Sequence, residues 1–249
     1  MLTMVIFCLQ AKQNIWIILH TRLSPCNGNL CKHLFPFRAI IGKMESEGKC
    51  IYMDIRTRED VLLVLEQHWK WLKNHKDGEQ AKFDGVDFEK MEIDFSKMDL
   101  RKVYFRECKF YEINFIKANL SESQFISCNL SSANFENANM SGVTLQRCRC
   151  DETNFAKANL DAALLLNQSF KICDFRQTNF GNVCLRHSWF ERCNCAESQM
   201  AIGCTLLTQM TQCNLTNANY HFDCTNGYME ITFTDCILHG FTKTITVQY

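Results

Sequence analysis

The chain has 249 residues, enough for one or two domains with a sizeable core. Its 27 Lys+Arg balance 27 Asp+Glu, which excludes a nucleic-acid binder of the generally basic kind and an acidic disordered chain. Sixteen cysteines admit a secreted disulfide scaffold, a metal protein or a reducing compartment, and their positions must decide among these.

Residues 2–9 (LTMVIFCL) are apolar, but no basic stretch precedes them and Lys12 follows soon after, so they lack the layout of a signal peptide. No run of about 20 apolar residues occurs, so no membrane span is expected. Residues 1–52 read as a poorly defined extension. Met44 opens a more ordinary segment, which leaves open whether residues 1–43 belong to the mature protein. Residues 53–82 are read as a capping-helix region, with the helix itself over 57–77. Thr57 is placed to cap it, and Asp60 three positions on gives a weaker form of the capping box. Val61, Leu65, Trp69 and Leu72 make one apolar stripe, and Gly78 follows as a natural stop. A helix of this size is marginal alone and must lay its stripe on something.

From residue 83 the helical period gives way to a period of five. Of the 26 positions at every fifth residue from Phe95 to Tyr220, all but Thr205 are apolar. The position two earlier is small or apolar throughout, except at Gln168. The position between is Asn or Asp in 14 of the 26, so the unit is small–Asn/Asp–Leu/Phe–polar–polar. "KANLS", "SANFE", "NANMS" and "KANLD" are close copies of it. Five fits neither a helix nor a flat strand, but it fits a coil with corners. Phe95, Phe115, Phe135, Phe155 and Phe175 recur every 20 residues, as do Cys108, Cys128 and Cys148, and then Cys173, Cys193 and Cys213. Twenty residues per coil means four five-residue sides.

On these residues the chain resembles the pentapeptide-repeat proteins, over about residues 83–241. His68, Trp71-Leu72, Gly78, Ala81 and the following "FDGVDF" resemble the short helix that precedes the repeats in many bacterial members. The resemblance implies an all-β solenoid, a right-handed quadrilateral β-helix, over 83–249, with the helix as its N-terminal cap. About eight coils stacked roughly 4.8 Å apart would make a rod roughly 40 Å long. Inside it the Phe/Leu rows and the small rows leave no room for a ligand. The phase slips by two between Phe88 and Phe95 and by three after Tyr220, where the next centres are Tyr228, Phe233 and Leu238. A loop near 221–227 would absorb the second slip, and "TKTITVQY" reads as a terminal strand.

The repeat positions decide the cysteine question. Cys108, Cys128, Cys148, Cys173, Cys193 and Cys213 take the small inward place, and Cys150 and Cys195 the central apolar place. They read as packing residues. Stacked thiols that point the same way make poor disulfides, and C-x-C is not zinc spacing. A reducing cytoplasm and no metal or cofactor are expected. The histidines form no constellation with Cys or Asp, and His68 is read as structural. No P-loop, G-x-G-x-x-G, nucleophile elbow or H-E-x-x-H occurs, so an enzyme is not expected.

Most outward positions are Ser, Asn, Glu, Lys or Gln. One region differs: Leu164, Leu166, Cys184, Ile202, Cys204, Leu206 and Leu207 fall at nominally outward places on adjacent coils, with Trp189 on the next side. Two arrangements fit, an exposed apolar patch that binds a partner or a second copy, or a register slip near 201–209 that turns Leu206 inward. The expected function is a non-enzymatic scaffold or protein-binding module, with no membrane contact and no direct nucleic-acid binding. The family resemblance adds an alternative, since some members resemble duplex DNA in shape and charge, bind DNA gyrase and protect it from quinolones. Against it, residues 82–249 carry 16 Lys+Arg and 19 Asp+Glu, a net of only −3, and no amphipathic C-terminal helix follows. A further alternative is a bacterial effector delivered into a host cell.

Overall fold

A computed structural model of the chain describes residues 38–40, 52–53, 55–223 and 231–246. Arg38–Ile40 (β1) and Tyr52–Met53 (β2) precede one helix, Arg58–Lys73 (α1). The strands Lys82–Asp84 (β3), Tyr104–Arg106 (β4), Gln124–Ile126 (β5), Thr144–Gln146 (β6) and Leu164–Leu166 (β7) follow. Ser169–Lys171 (β8), Asn179–Arg186 (β9), Trp189–Glu191 (β10), Gln199–Leu206 (β11) and Thr208–Thr211 (β12) come next. Asn219–Asp223 (β13), Ile231–Thr234 (β14) and Thr242–Thr246 (β15) complete the order. β3 to β7, β9, β11, β13 and β15 pair in parallel in one sheet, extended antiparallel by β1 and β2 beyond β3. β8, β10, β12 and β14 form a second parallel sheet.

The register is the repeat made visible. Phe105, Phe125, Leu145, Leu165, Leu185 and Thr205 stand opposite one another at steps of 20 residues. The chain is therefore a parallel β-solenoid with four sides per turn. It has about seven turns rather than eight, and β14 and β15 belong to an incomplete last one. Side one carries the centres Phe105 to Thr205, side two Phe110 to Met210, side three Phe115 to Leu215 and side four Leu120 to Tyr220. All 26 central residues are buried, including Thr205.

The first slip is absorbed by a short 3-10 turn, Phe88–Lys90, so that Phe83 pairs with Phe105 at a step of 22. The second appears as a step of 23, Met210 opposite Phe233. The loop and Tyr228 expected there lie outside the described residues.

Aromatic columns run along the core. Phe95, Phe115, Phe135, Phe155 and Phe175 stack with centroids 4.7–5.2 Å apart and planes within 6°. That separation is the spacing of neighbouring strands, so each ring lies on its equivalent in the next turn.

The corners need a backbone that no glycine pattern announces. The second residue after each centre has positive φ, as at Lys97 (60°), Lys117 (58°), Ser132 (58°) and Asn137 (57°). Glycine takes this place at Gly85, Gly142 and Gly240. Many corners close with a turn bond, for example Ala118 N–H to Phe115 O (2.9 Å) and Ala138 N–H to Phe135 O (2.9 Å).

The Asn position explains itself here. Asn139 Oδ1 accepts from Ser141 N–H (3.2 Å), and the Asn139 Nδ2 donates to Asn119 Oδ1 one turn below (3.2 Å). The Asn119–Asn139–Asn159–Asn179 ladder runs up side four, and side three has Asn134 with Asn154 and Asn194 with Asn214. Each amide thus serves its own corner and its neighbour.

The helix caps the first turn. Thr57 and Asp60 form the full capping box. Val61, Val64, Leu65 and His68 are buried, while Trp69 and Leu72 are half-buried. The helix ends at Lys73 rather than 77. Asn74 is its cap, with its N–H bonded to Lys70 O (3.0 Å). Gly78 has a different task from stopping it. It has φ +75°, and a Cβ there would lie 2.1 Å from Gln67 O, so only glycine lets the chain return this close to the helix.

Candidate functional site

Strand register fixes where the expected patch residues fall. Thr144, Leu164, Cys184 and Cys204 form one outward row across side one, and Gln146, Leu166, Arg186 and Leu206 form a second. The corner after side one follows with Arg147, Asn167, His187 and Leu207, all at positive φ. Trp189 opens side two, between Ser169 and Gln209. Leu164, Leu206, Leu207 and Trp189 are 40–43% exposed, which makes this an exposed surface and not buried core. Leu166 and Cys184 are half-buried.

Leu206 does not turn inward, because Thr205 keeps the central place and is buried. The register irregularity of β11 against β9 is confined to Met200–Cys204, and the step of 20 is restored at Cys204. Ile202 stands apart from the two rows. It pairs with Val183 and Phe222, at the corner before side one. The side chains of Ile202 and Cys204 lie outside the described residues.

Two features of this surface went unnoticed in the repeat pattern. Arg186 sits between Leu166 and Leu206, so a charge divides the apolar row. Ile172 is a second exposed apolar corner, 50% accessible and at φ 57°, a strained place for a β-branched residue. Its outward position two residues after Phe170 was the available signal. At the end of the solenoid, Ile237 and Leu238 are also exposed.

Beneath the patch, the Thr205 Oγ1 is buried without a hydrogen-bond partner. An open depression of about 250 Å³ lies elsewhere, lined by Glu136, Lys157, Arg176 and Glu197 among others. Arg176 is already paired with Asp174 (2.6 Å).

The thiols are free and inward. Cys128 Sγ donates to Phe105 O of the turn below (3.6 Å), Cys148 to Phe125 O (3.2 Å), Cys193 to Phe170 O (3.4 Å) and Cys213 to Phe190 O (3.4 Å). Thr153, Thr178 and Ser188 make the same bond from the same place in the repeat, to Leu130 O, Phe155 O and Leu165 O. The small position therefore selects a short donor as well as a small volume. Burial pushes the Cys128, Cys148, Cys150 and Cys195 thiols up. Hydrogen bonding to the thiol below raises Cys193 and Cys213. These are protonated, unreactive groups at neutral pH. Among the described residues no group of three His, Cys, Asp or Glu is placed to hold a metal. No described helix is long and apolar enough to cross a membrane.

His68 has a mechanical place. Its Nδ1 accepts from Ala81 N–H (3.1 Å), so its Nε2–H donates to Arg101 O (2.8 Å). Trp69 Nε1–H bonds Asp99 O (2.7 Å) and Gln80 Nε2–H bonds Lys102 O (2.7 Å). Together they tie the helix to one corner of the first turn. Burial lowers the His68 pKa and keeps the ring neutral.

A family model described as a pentapeptide repeat region matches residues 77–155 and 118–200. Among solved structures, the chain is similar to HetL, a pentapeptide repeat protein involved in heterocyst differentiation regulation in the cyanobacterium Nostoc sp. strain PCC 7120. The two are 16% identical over 65% of this chain and 84% of that one, with a TM-score of 0.29. It is similar to full-length QnrB1, a plasmid-mediated fluoroquinolone resistance protein, at 16% identity over 65% and 91%, with a TM-score of 0.33. A pentapeptide repeat protein of the Arabidopsis thaliana thylakoid lumen is 18% identical over 55% and 68%, with a TM-score of 0.24. No curated protein matches the chain. The roles in those names belong to those proteins. The five-residue period, the four-sided turns and the family match agree: the chain belongs to the pentapeptide-repeat family.

Proposed function

We propose that this protein is a non-enzymatic binding module, and that the corner between sides one and two is the surface it offers to a protein partner. One observation carries the reading. Large apolar side chains on adjacent turns stand 40–43% exposed at a single corner, on a solenoid whose other outward places are mostly polar. The carbonyl-bonded thiols and packed aromatic columns fill the interior, so the chemistry of the molecule lies outside. The free, stacked thiols favour a reducing compartment such as the cytoplasm. A DNA-mimicking topoisomerase binder finds less support, because a net charge of −3 over residues 82–249 is weak for a mimic of a polyanion.

The test is the double variant Leu166→Glu, Leu207→Glu. It should keep the melting temperature of the parent and lose the partner captured by the parent in affinity purification. Retention of that partner by a folded double variant rejects the corner as the binding surface.

A further inference from the structure

The corner is apolar, and it is also free of carboxylates. The four segments that build it on successive turns, 143–150, 163–169, 183–189 and 203–209, contain no Asp or Glu. They contribute Arg147, Arg149 and Arg186. Arg149 is met by Asp151 (2.7 Å), just beyond its segment. Arg147 and Arg186 are exposed beside the leucines. One turn further on, residues 198–222 form a run without any Lys, Arg, Asp or Glu. Loss of charge from the surface is a mark of interface centres. Positive charge without negative charge, on a chain that is net negative over the repeats, gives the surface a sign.

That sign argues against a second copy as the occupant. A two-fold contact through this corner would set Arg147 and Arg186 against the same residues of the other copy. Phosphate backbones are met by denser cation sets than two arginines among leucines. What remains complementary is a protein segment with apolar anchors and carboxylates.

The spacing gives that segment a form. Leu166, Arg186 and Leu206 follow one another along the solenoid axis, one per turn, so the two leucines are roughly 10 Å apart with the arginine midway. On an α-helix, residues i and i+7 are about 10.5 Å apart on one face, and i+3 or i+4 falls between them. We infer that this corner accepts an acidic amphipathic helix lying along the solenoid axis. Its apolar residues at i and i+7 meet Leu166 and Leu206, and a Glu or Asp at i+3 or i+4 meets Arg186. Trp189 and Leu207 close one flank, and Leu164 the other.

This inference rests on the binding-module reading, and the experiment separates the two. A displayed library of random 20-residue peptides is selected on the full-length chain, and binders are re-measured on Arg186→Glu and Leu206→Glu. The expected binders carry an acid flanked by apolar residues seven apart. They weaken about tenfold on Arg186→Glu, and charge-reversed copies with Lys at the acid position regain binding to that variant. Binders that lose affinity on Leu206→Glu but not on Arg186→Glu keep the site and overturn the acidic class. Binders indifferent to both variants, or no enrichment at all, overturn site and partner together. Dimerisation of the chain that is abolished by Leu206→Glu overturns the inference in favour of a second copy. Tight binding of a labelled oligonucleotide that Arg186→Glu removes overturns it in favour of nucleic acid.

Discussion

Sides three and four of the solenoid differ from sides one and two in the residue before each centre. On sides three and four it is mostly Asn or Asp, and the amides form ladders that bond their own corners and the next turn. On side one the same place holds Tyr104, Gln124, Thr144, Leu164, Cys184 and Cys204. On side two it holds Lys109, Asn129, Arg149, Ser169, Trp189 and Gln209. The inner residues are equally apolar on all four sides, and the backbone register is the same. The ladder is thus an addition to the fold and not a condition of it. Strand pairing holds the outer faces of sides one and two, and their outward side chains are free to vary. The candidate binding corner lies where that freedom is greatest.

The comparison can be broken from inside. Phe135→Ala removes a ring stacked on Phe115 and Phe155, and should cost about 3–5 kcal/mol in denaturant unfolding. Leu206→Glu, on the exposed corner, should stay within about 0.5 kcal/mol of the parent. An equal cost for both would show that the corner is core.

The cap comes next in size. His68→Ala leaves Ala81 N–H and Arg101 O without their partner and opens a buried gap, a loss of about 2–4 kcal/mol. The parent should also lose stability as pH falls below about 6.5, the usual imidazole value, because the unfolded chain takes up the proton before the buried ring does. Above that pH the contribution is fully present. His68→Ala should flatten this part of the pH–stability curve, and an unchanged slope would remove His68 as its cause.

The ladder itself is tested by Asn139→Ala, which deletes bonds to Ser141 N–H, Asn119 and Asn159 and should cost about 1–2 kcal/mol. Gln124→Ala, the equivalent position on side one, is exposed and should be nearly neutral by the same melting measurement. The smallest effect has the opposite sign. Thr205→Val removes a buried hydroxyl that has no partner and keeps the shape, so it should stabilise by about 1 kcal/mol.

The interior was the most legible part of the sequence, because burial at every fifth residue leaves a periodic mark that 25 of 26 centres carry. The slips of two and three were legible for the same reason, as breaks in that mark. The corners were not. Lys97, Lys117 and Ser132 adopt positive φ because stacked turns impose it, and their residue types give no sign. The helix end at Lys73 was obscured by Gly78, whose purpose is the close return against Gln67. On the binding corner the leucines could be read, but the position of Arg186 between two of them appears only when turns are laid over one another.

The thiols that bond carbonyls of the turn below have one more consequence. Cys173, Cys193, Cys213 and Cys236 stand in one column on consecutive turns, and Cys108, Cys128 and Cys148 in another. A thiol locked in this way meets an alkylating reagent only after its turn has peeled away. The order in which the seven acquire label therefore records the direction of unzipping. Cys236 before Cys213 before Cys193 means fraying from the last turn, and Cys108 first means loss of the helical cap. The chain carries a graduated scale along its own axis, and a mass spectrometer can read it.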